Sequence, residues 1–149
     1  MKKRSGFTVI ELMVVISIIT ILTAISIPNM IRWRSDHQLN SAARVVFSAI
    51  QQMRMEAVKN NTQTWIFFDA ANKLYRTYIY LRSGGGQWQV NSYNLPSELT
   101  IAPNFGAMGP WLSYNDRGMP LTAGNMTFTN KNGVARTITV ALTGYPKIT

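Results

Sequence analysis

The hydrophobic pattern changes period twice along the chain. Phe7 to Ile27 is a run of 21 residues with one ionisable side chain, Glu11. As a helix at about 1.5 Å per residue it would measure roughly 31 Å, which matches the ~30 Å hydrocarbon core of a bilayer. Lys2, Lys3 and Arg4 precede it and predict an orientation with the N-terminus inside. A secretory signal peptide begins the same way, but this run is long for one and carries a carboxylate near its start. Pro28 follows. It removes a backbone donor, and a membrane helix tolerates it as a kink where neighbours cover the freed carbonyl. From Asn29 to Asn60 the apolar positions Leu39, Ala42, Val46, Ile50, Met53 and Ala57 step by three and four. This is the mark of a helix with one buried face. Arg44, Arg54 and Lys59 fall on the expected wet side. Val45, Phe47 and Met55 lie off the stripe, so the helix is apolar on more than one side. Asn60-Asn61 reads as its stop. Helix from Phe7 to Asn60 would extend roughly 80 Å.

After Thr62 the period shortens to that of strands. Thr64 to Phe68 is β-branched and aromatic, and Lys73 to Leu81 alternates in part. Ser83-Gly84-Gly85-Gly86 predicts a turn, with Gln87 to Tyr93 as the returning strand. Leu95 to Pro103 is expected to lead into a loop, and Asn104 to Pro110 to be irregular. Trp111 to Tyr114 is a short strand before an Asn115-to-Gly118 turn. Asn125–Thr129 and Arg136–Thr143 form a second hairpin around Lys131-Asn132-Gly133. The expected organisation is a basic leader over 1–6, a transmembrane helix over 7–28, an amphipathic helix over 29–61 and a β-rich head over 62–149.

Composition narrows the chemistry. The 149 residues include no cysteine, so disulfides, thiolate metal sites and a cysteine nucleophile are excluded. Six carboxylates and one histidine, His37, offer little for acid–base work. Asp69, Glu98 and Asp116 are too scattered in sequence to argue a metal site. The triglycine fits neither the dinucleotide nor the P-loop spacing. No enzymatic activity, cofactor or metal is expected. Fifteen Lys and Arg against six acids set the formal charge at +9, and residues 29–149 retain 12 and 5 of these.

Glu11 stands out. A carboxylate at membrane depth costs about 2.5–3.5 kcal/mol near the centre and less near the ends. It either has a partner and a function, or sits protonated or snorkelling near the interface. Cleavage after Gly6 would place the new amine of Phe7 four residues from it, and a neighbouring copy's amine could then pair with it.

Gly6-Phe7-Thr8-Val9-Ile10-Glu11-Leu12 resembles the prepilin motif of type IV pilins and type II secretion pseudopilins. The resemblance implies cleavage after Gly6 by a prepilin peptidase and methylation of Phe7. It also implies that Glu11 registers each subunit in a growing filament, and that Pro28 occupies the family's proline position and loosens the helix. Met53-Arg54-Met55-Glu56-Ala57-Val58-Lys59-Asn60 resembles the helix end of the GspH/FimT branch. Asp116-Arg117-Gly118 resembles its mid-domain turn, and Thr137 to Ile148, with Thr143-Gly144, its final strand and closing Gly motif. The implied fold is α+β: a long N-terminal helix packed on a head of two antiparallel sheets. The implied function is a minor pilin or pseudopilin subunit of a type IV pilus or type II secretion pseudopilus. Its partners would be the prepilin peptidase, other pilins or pseudopilins through the N-terminal helix, and the bacterial inner membrane, crossed once with the head periplasmic. The alternative is a DNA-binding minor pilin acting in natural transformation. Cations interleaved with aromatics suit nucleic acid, and Arg117, Lys131, Arg136 and Lys147 are the candidate contacts. Some members bind DNA through a Gly-Arg-x-Arg motif. The corresponding stretch here is Gly144-Tyr145-Pro146-Lys147, with Tyr145 at the first arginine position.

Overall fold

A computed structural model describes residues 7–82 and 86–149. The leader with Gly6, and the turn residues Ser83, Gly84 and Gly85, lie outside the described residues. The chain divides into two compact units, one ending at Arg34 and one running from Ser35 to Thr149.

One helix, α1 (Val9–Lys59), contributes to both units and continues through position 28. It begins two residues after the expected Phe7. The Glu11 N–H donates to the Thr8 hydroxyl at 3.3 Å, and Thr8-x-x-Glu11 has the spacing of a capping box. In the first unit Ser17, Thr20, Thr23 and Ser26 each donate their hydroxyl to the carbonyl four residues back, at 2.7–2.8 Å. The apolar segment therefore carries hydroxyls that are already satisfied.

In the second unit the remainder of α1 packs on two four-stranded antiparallel sheets. The first contains β1 (Thr64–Asp69), β2 (Leu74–Leu81), β3 (Gln87–Asn94) and β5 (Trp111–Tyr114) in the order β3-β2-β1-β5. The second contains β4 (Thr100–Asn104), β6 (Gly124–Thr129), β7 (Ala135–Val140) and β8 (Pro146–Ile148) in the order β4-β6-β7-β8. The stripe Leu39, Ala42, Val46, Ile50, Met53 and Ala57 is buried, together with Ile66, Phe68, Leu112, Tyr114, Met126, Phe128, Ile138 and Val140 from both sheets. Alternation along β1 places Ile66 and Phe68 inward, as a half-buried strand requires.

α1 stops where expected. Asn60 donates its side-chain amide to the Glu56 carbonyl at 3.0 Å, and Asn61 takes a positive φ of 48°. Three expectations are corrected. Thr100–Asn104, expected as loop, is β4, paired with β6 from Thr100 opposite Thr129 to Asn104 opposite Asn125. The strand expected over Arg136–Thr143 ends as β7 at Val140, and a further strand, β8, returns with Lys147 opposite Thr139. The turn between them needs Gly144 at φ 88°. Lastly, Arg54 is half-buried rather than on the wet side.

Candidate assembly helix and the cations of the head

Every described side chain from Phe7 to Arg34 is exposed, Phe7 by 79%. Val9, Ile10, Leu12, Met13, Ile16, Ile19, Leu22, Ile25 and Met30 all face outward. The window meets the length and hydropathy of a membrane span, with none of it buried within the chain. Burying an apolar side chain is worth about 1.5–3 kcal/mol, so a surface of this extent requires lipid or protein around it. Glu11 is the single charged residue between Phe7 and Ile31. Gly6, the expected cleavage position, lies outside the described residues.

The head's candidate DNA contacts differ in how they are held. Arg136 donates from Nε to Asn40 Oδ1 at 2.9 Å and from Nη1 to the Ala135 carbonyl at 3.3 Å. Lys131 pairs with Glu98 at 3.2 Å, both half-exposed. Arg117 and Lys147 are exposed. Asn130, just before Lys131, ties the β6–β7 turn to α1: its amide donates to Asp36 Oδ1 at 2.6 Å, and its own Oδ1 accepts from the Asn132 and Val134 N–H groups. Two of the four cations thus already have intrachain partners. Asp69 accepts from the Asn72 amide and N–H at 2.8 and 3.0 Å. Those bonds hold its carboxyl below the usual range.

Arg54, expected on the wet side, is engaged on two sides. Its Nε donates to the Gly118 carbonyl at 3.0 Å, and its guanidinium lies 4.2 Å from the centre of the Tyr145 ring. A Cβ at Gly118 or Gly144, where φ is 73° and 88°, would come within 3.2–3.4 Å of its side chain, so the turns pass close to Arg54 because they carry none. Tyr145, standing where a DNA-binding relative would have arginine, thus covers the cation that joins α1 to two turns.

Residues 42–144 match the family described as type II transport protein GspH, and residues 1–27 match the prokaryotic N-terminal methylation motif. The chain belongs to the GspH family. Two solved structures share the fold of this GspH-family chain. The minor pseudopilin EpsH from the type 2 secretion system of Vibrio cholerae superposes with a TM-score of 0.62 at 16% identity, over 75% of this chain and 96% of that one. The type IV minor pilin FimU of Pseudomonas aeruginosa gives 0.62 at 17% identity, over 78% and 92%. In sequence, the chain is 36% identical over 64 residues to the type IV wide pilus major component PilA4 of Thermus thermophilus. That match covers 43% of this chain and spans about half the length of the relative, at 49%.

Sequence reasoning missed two contributors. Thr8 caps the assembly helix, and the Thr-x-x-Glu spacing was the available signal. Arg54 bridges α1 to the head's turns, and no local pattern reveals that, because its partners lie 64 and 91 positions away.

Proposed function

We propose that the protein is a filament subunit inserted in the bacterial inner membrane with its N-terminus cytoplasmic and its head periplasmic. A prepilin peptidase cuts after Gly6, Phe7 becomes the methylated N-terminus, and the mature helix moves from lipid into the core of a pilus or pseudopilus. The observation that carries this reading is the bare apolar surface from Phe7 to Ile31 with Glu11 as its one charge. In a bundle of such helices Glu11 pairs with the Phe7 amine of a neighbour, which offsets the cost of a carboxylate at depth. Pro28 leaves the carbonyl four residues earlier without its usual donor and so eases bending during extraction. The subunit's work is structural, with no catalysis of its own.

Glu11→Ala tests this in the producing cell. The expected outcome is normal leader removal with loss of the subunit from sheared filaments. Normal incorporation would sink the role of Glu11. Leader removal despite Gly6→Val would sink the processing site. A DNA-receptor role would draw on Arg117, Lys131, Arg136 and Lys147, and two of these are engaged within the head, so the structural reading is preferred. Steeply salt-dependent binding of duplex DNA by the full chain in detergent would reverse that preference.

A further inference from the structure

A sheet edge with unpaired backbone groups is a template for another strand, and folded proteins usually blunt it. Among the described residues, three of the four edges here are blunted. β5 is covered by the following segment, where the Leu121 N–H donates to the Ser113 carbonyl and Tyr114 bridges Pro120. β4 contains Pro103. β8 is three residues long. β3 has none of these devices. It runs eight residues, Gln-Trp-Gln-Val-Asn-Ser-Tyr-Asn, with no proline and no charge, and it pairs only with β2.

The register shows which groups are free. The Leu95 N–H donates to the Lys73 carbonyl at 2.7 Å, so the pair just beyond the ladder is hydrogen-bonded. Antiparallel pairs alternate, so Tyr93, Asn91 and Gln89 bond to β2, while the N–H and C=O groups of Trp88, Val90, Ser92 and Asn94 point away from it. Both faces beside this edge are also unfilled. On the inner side, a groove of about 420 Å³ lies between β3 and α1, lined by Ser41, Arg44, Val45, Ser48, Ala49 and Tyr93 among others. Small side chains along α1 leave room for a backbone to approach. On the outer side, Trp88 and Val90 are 56% and 50% exposed. One added strand would satisfy the free backbone groups, send alternate side chains into the groove and cover Trp88 and Val90 with the others.

Charge selects the source of that strand. Among the described residues, Arg44 is the one charged side chain lining the groove, and residues 35–149 carry ten Lys and Arg against five Asp and Glu. A second copy would bring the same positive excess to an edge that offers a cation. Resting on the filament-subunit reading, we infer that the free edge of β3 receives an extended, acidic segment of a different subunit of the filament, as a fifth strand of the first sheet.

Photo-crosslinking in the producing cell tests this with the full chain. A benzophenone amino acid replaces Val90 at the edge, or Val15 in the N-terminal helix, in separate strains. The expected result is a position-90 adduct to a different protein that has its own N-terminal methylation motif, mapped to a segment containing Asp or Glu. Ser92→Pro removes only an outward N–H, so it should cut that adduct at least tenfold. It should leave position-15 adducts and the head's near-ultraviolet circular dichroism unchanged. A position-90 adduct to another copy of this chain, or none while position-15 adducts persist, overturns the edge proposal and leaves the filament reading standing. An adduct insensitive to Ser92→Pro also overturns it. Loss of adducts at both positions from a folded chain overturns the filament reading, and the proposal with it.

Discussion

Arg54 joins elements that are remote in sequence. Its side chain meets the Gly118 carbonyl and the Tyr145 ring. Arg54→Ala removes a charged hydrogen-bond donor and a packing surface together, so a loss of about 1.5–3 kcal/mol is expected in urea unfolding. Arg54→Lys should recover little of it, because an ammonium neither reproduces the guanidinium plane nor reaches both partners. Tyr114 presents the opposite case. Its ring is fully buried and its hydroxyl has no hydrogen-bond partner. Burial pushes its pKa up to about 12, against a smaller downward pull from Arg54. Tyr75 is likewise raised to about 12 by burial, with Tyr93 adding to the shift. A tyrosine raised in the folded state holds its proton after the unfolded chain has lost it. Stability is therefore intact below pH 10 and falls as pH rises from 10 towards 12. Tyr114→Phe should be neutral or slightly stabilising at pH 7 and should flatten that alkaline decline, measured as Tm against pH.

At the scale of elements, α1 supplies one wall of the head's core. Ile50 is fully buried among residues of the helix and both sheets. Ile50→Ala is expected to cost about 2–5 kcal/mol, while Val45→Ala on the exposed flank should stay within about 0.5 kcal/mol. The helix stripe and its Asn60-Asn61 stop were legible because a period of 3.6 residues and a left-handed stop are local properties. The two strands of the first hairpin were legible too, from partial alternation over Lys73–Leu81 and the glycine run that precedes Gln87. β4 was not. Thr100–Asn104 contains proline and lies between turn-forming residues, and only pairing with β6 makes it a strand. The return strand β8 was equally hidden: the strand pattern ends at Thr143, and only pairing with β7 makes Pro146–Ile148 a strand after Gly144 reverses the chain. Gly124, at the start of β6, shows what such pairing demands. A Cβ there would meet the Asn104 carbonyl and Phe105, so the close approach of β6 to β4 relies on its missing side chain.

For the whole molecule, the division after Arg34 predicts that residues 35–149 hold their own core. Expressed alone, this segment should be soluble and unfold in one cooperative transition, with the near-ultraviolet circular dichroism of the full chain. Broad, non-cooperative melting would show that the first unit is needed for folding. The first unit has no buried described residue, so its stability depends on lipid or on neighbouring helices.

The sequence alone carries the residues of the proposed assembly apparatus: the basic leader, Gly6-Phe7, Glu11 and the apolar run. These are consecutive residues whose chemistry needs no fold to be read. It also determined the buried stripe of α1 and most strands, since periodicity reflects which side of an element faces water. Only the tertiary structure decided that Arg54 bridges α1 to two turns, and that Lys131 and Arg136 are held by Glu98 and Asn40. It alone also left β3 as the unblunted edge. Each of these depends on groups far apart in the chain meeting in space, which no local spacing records.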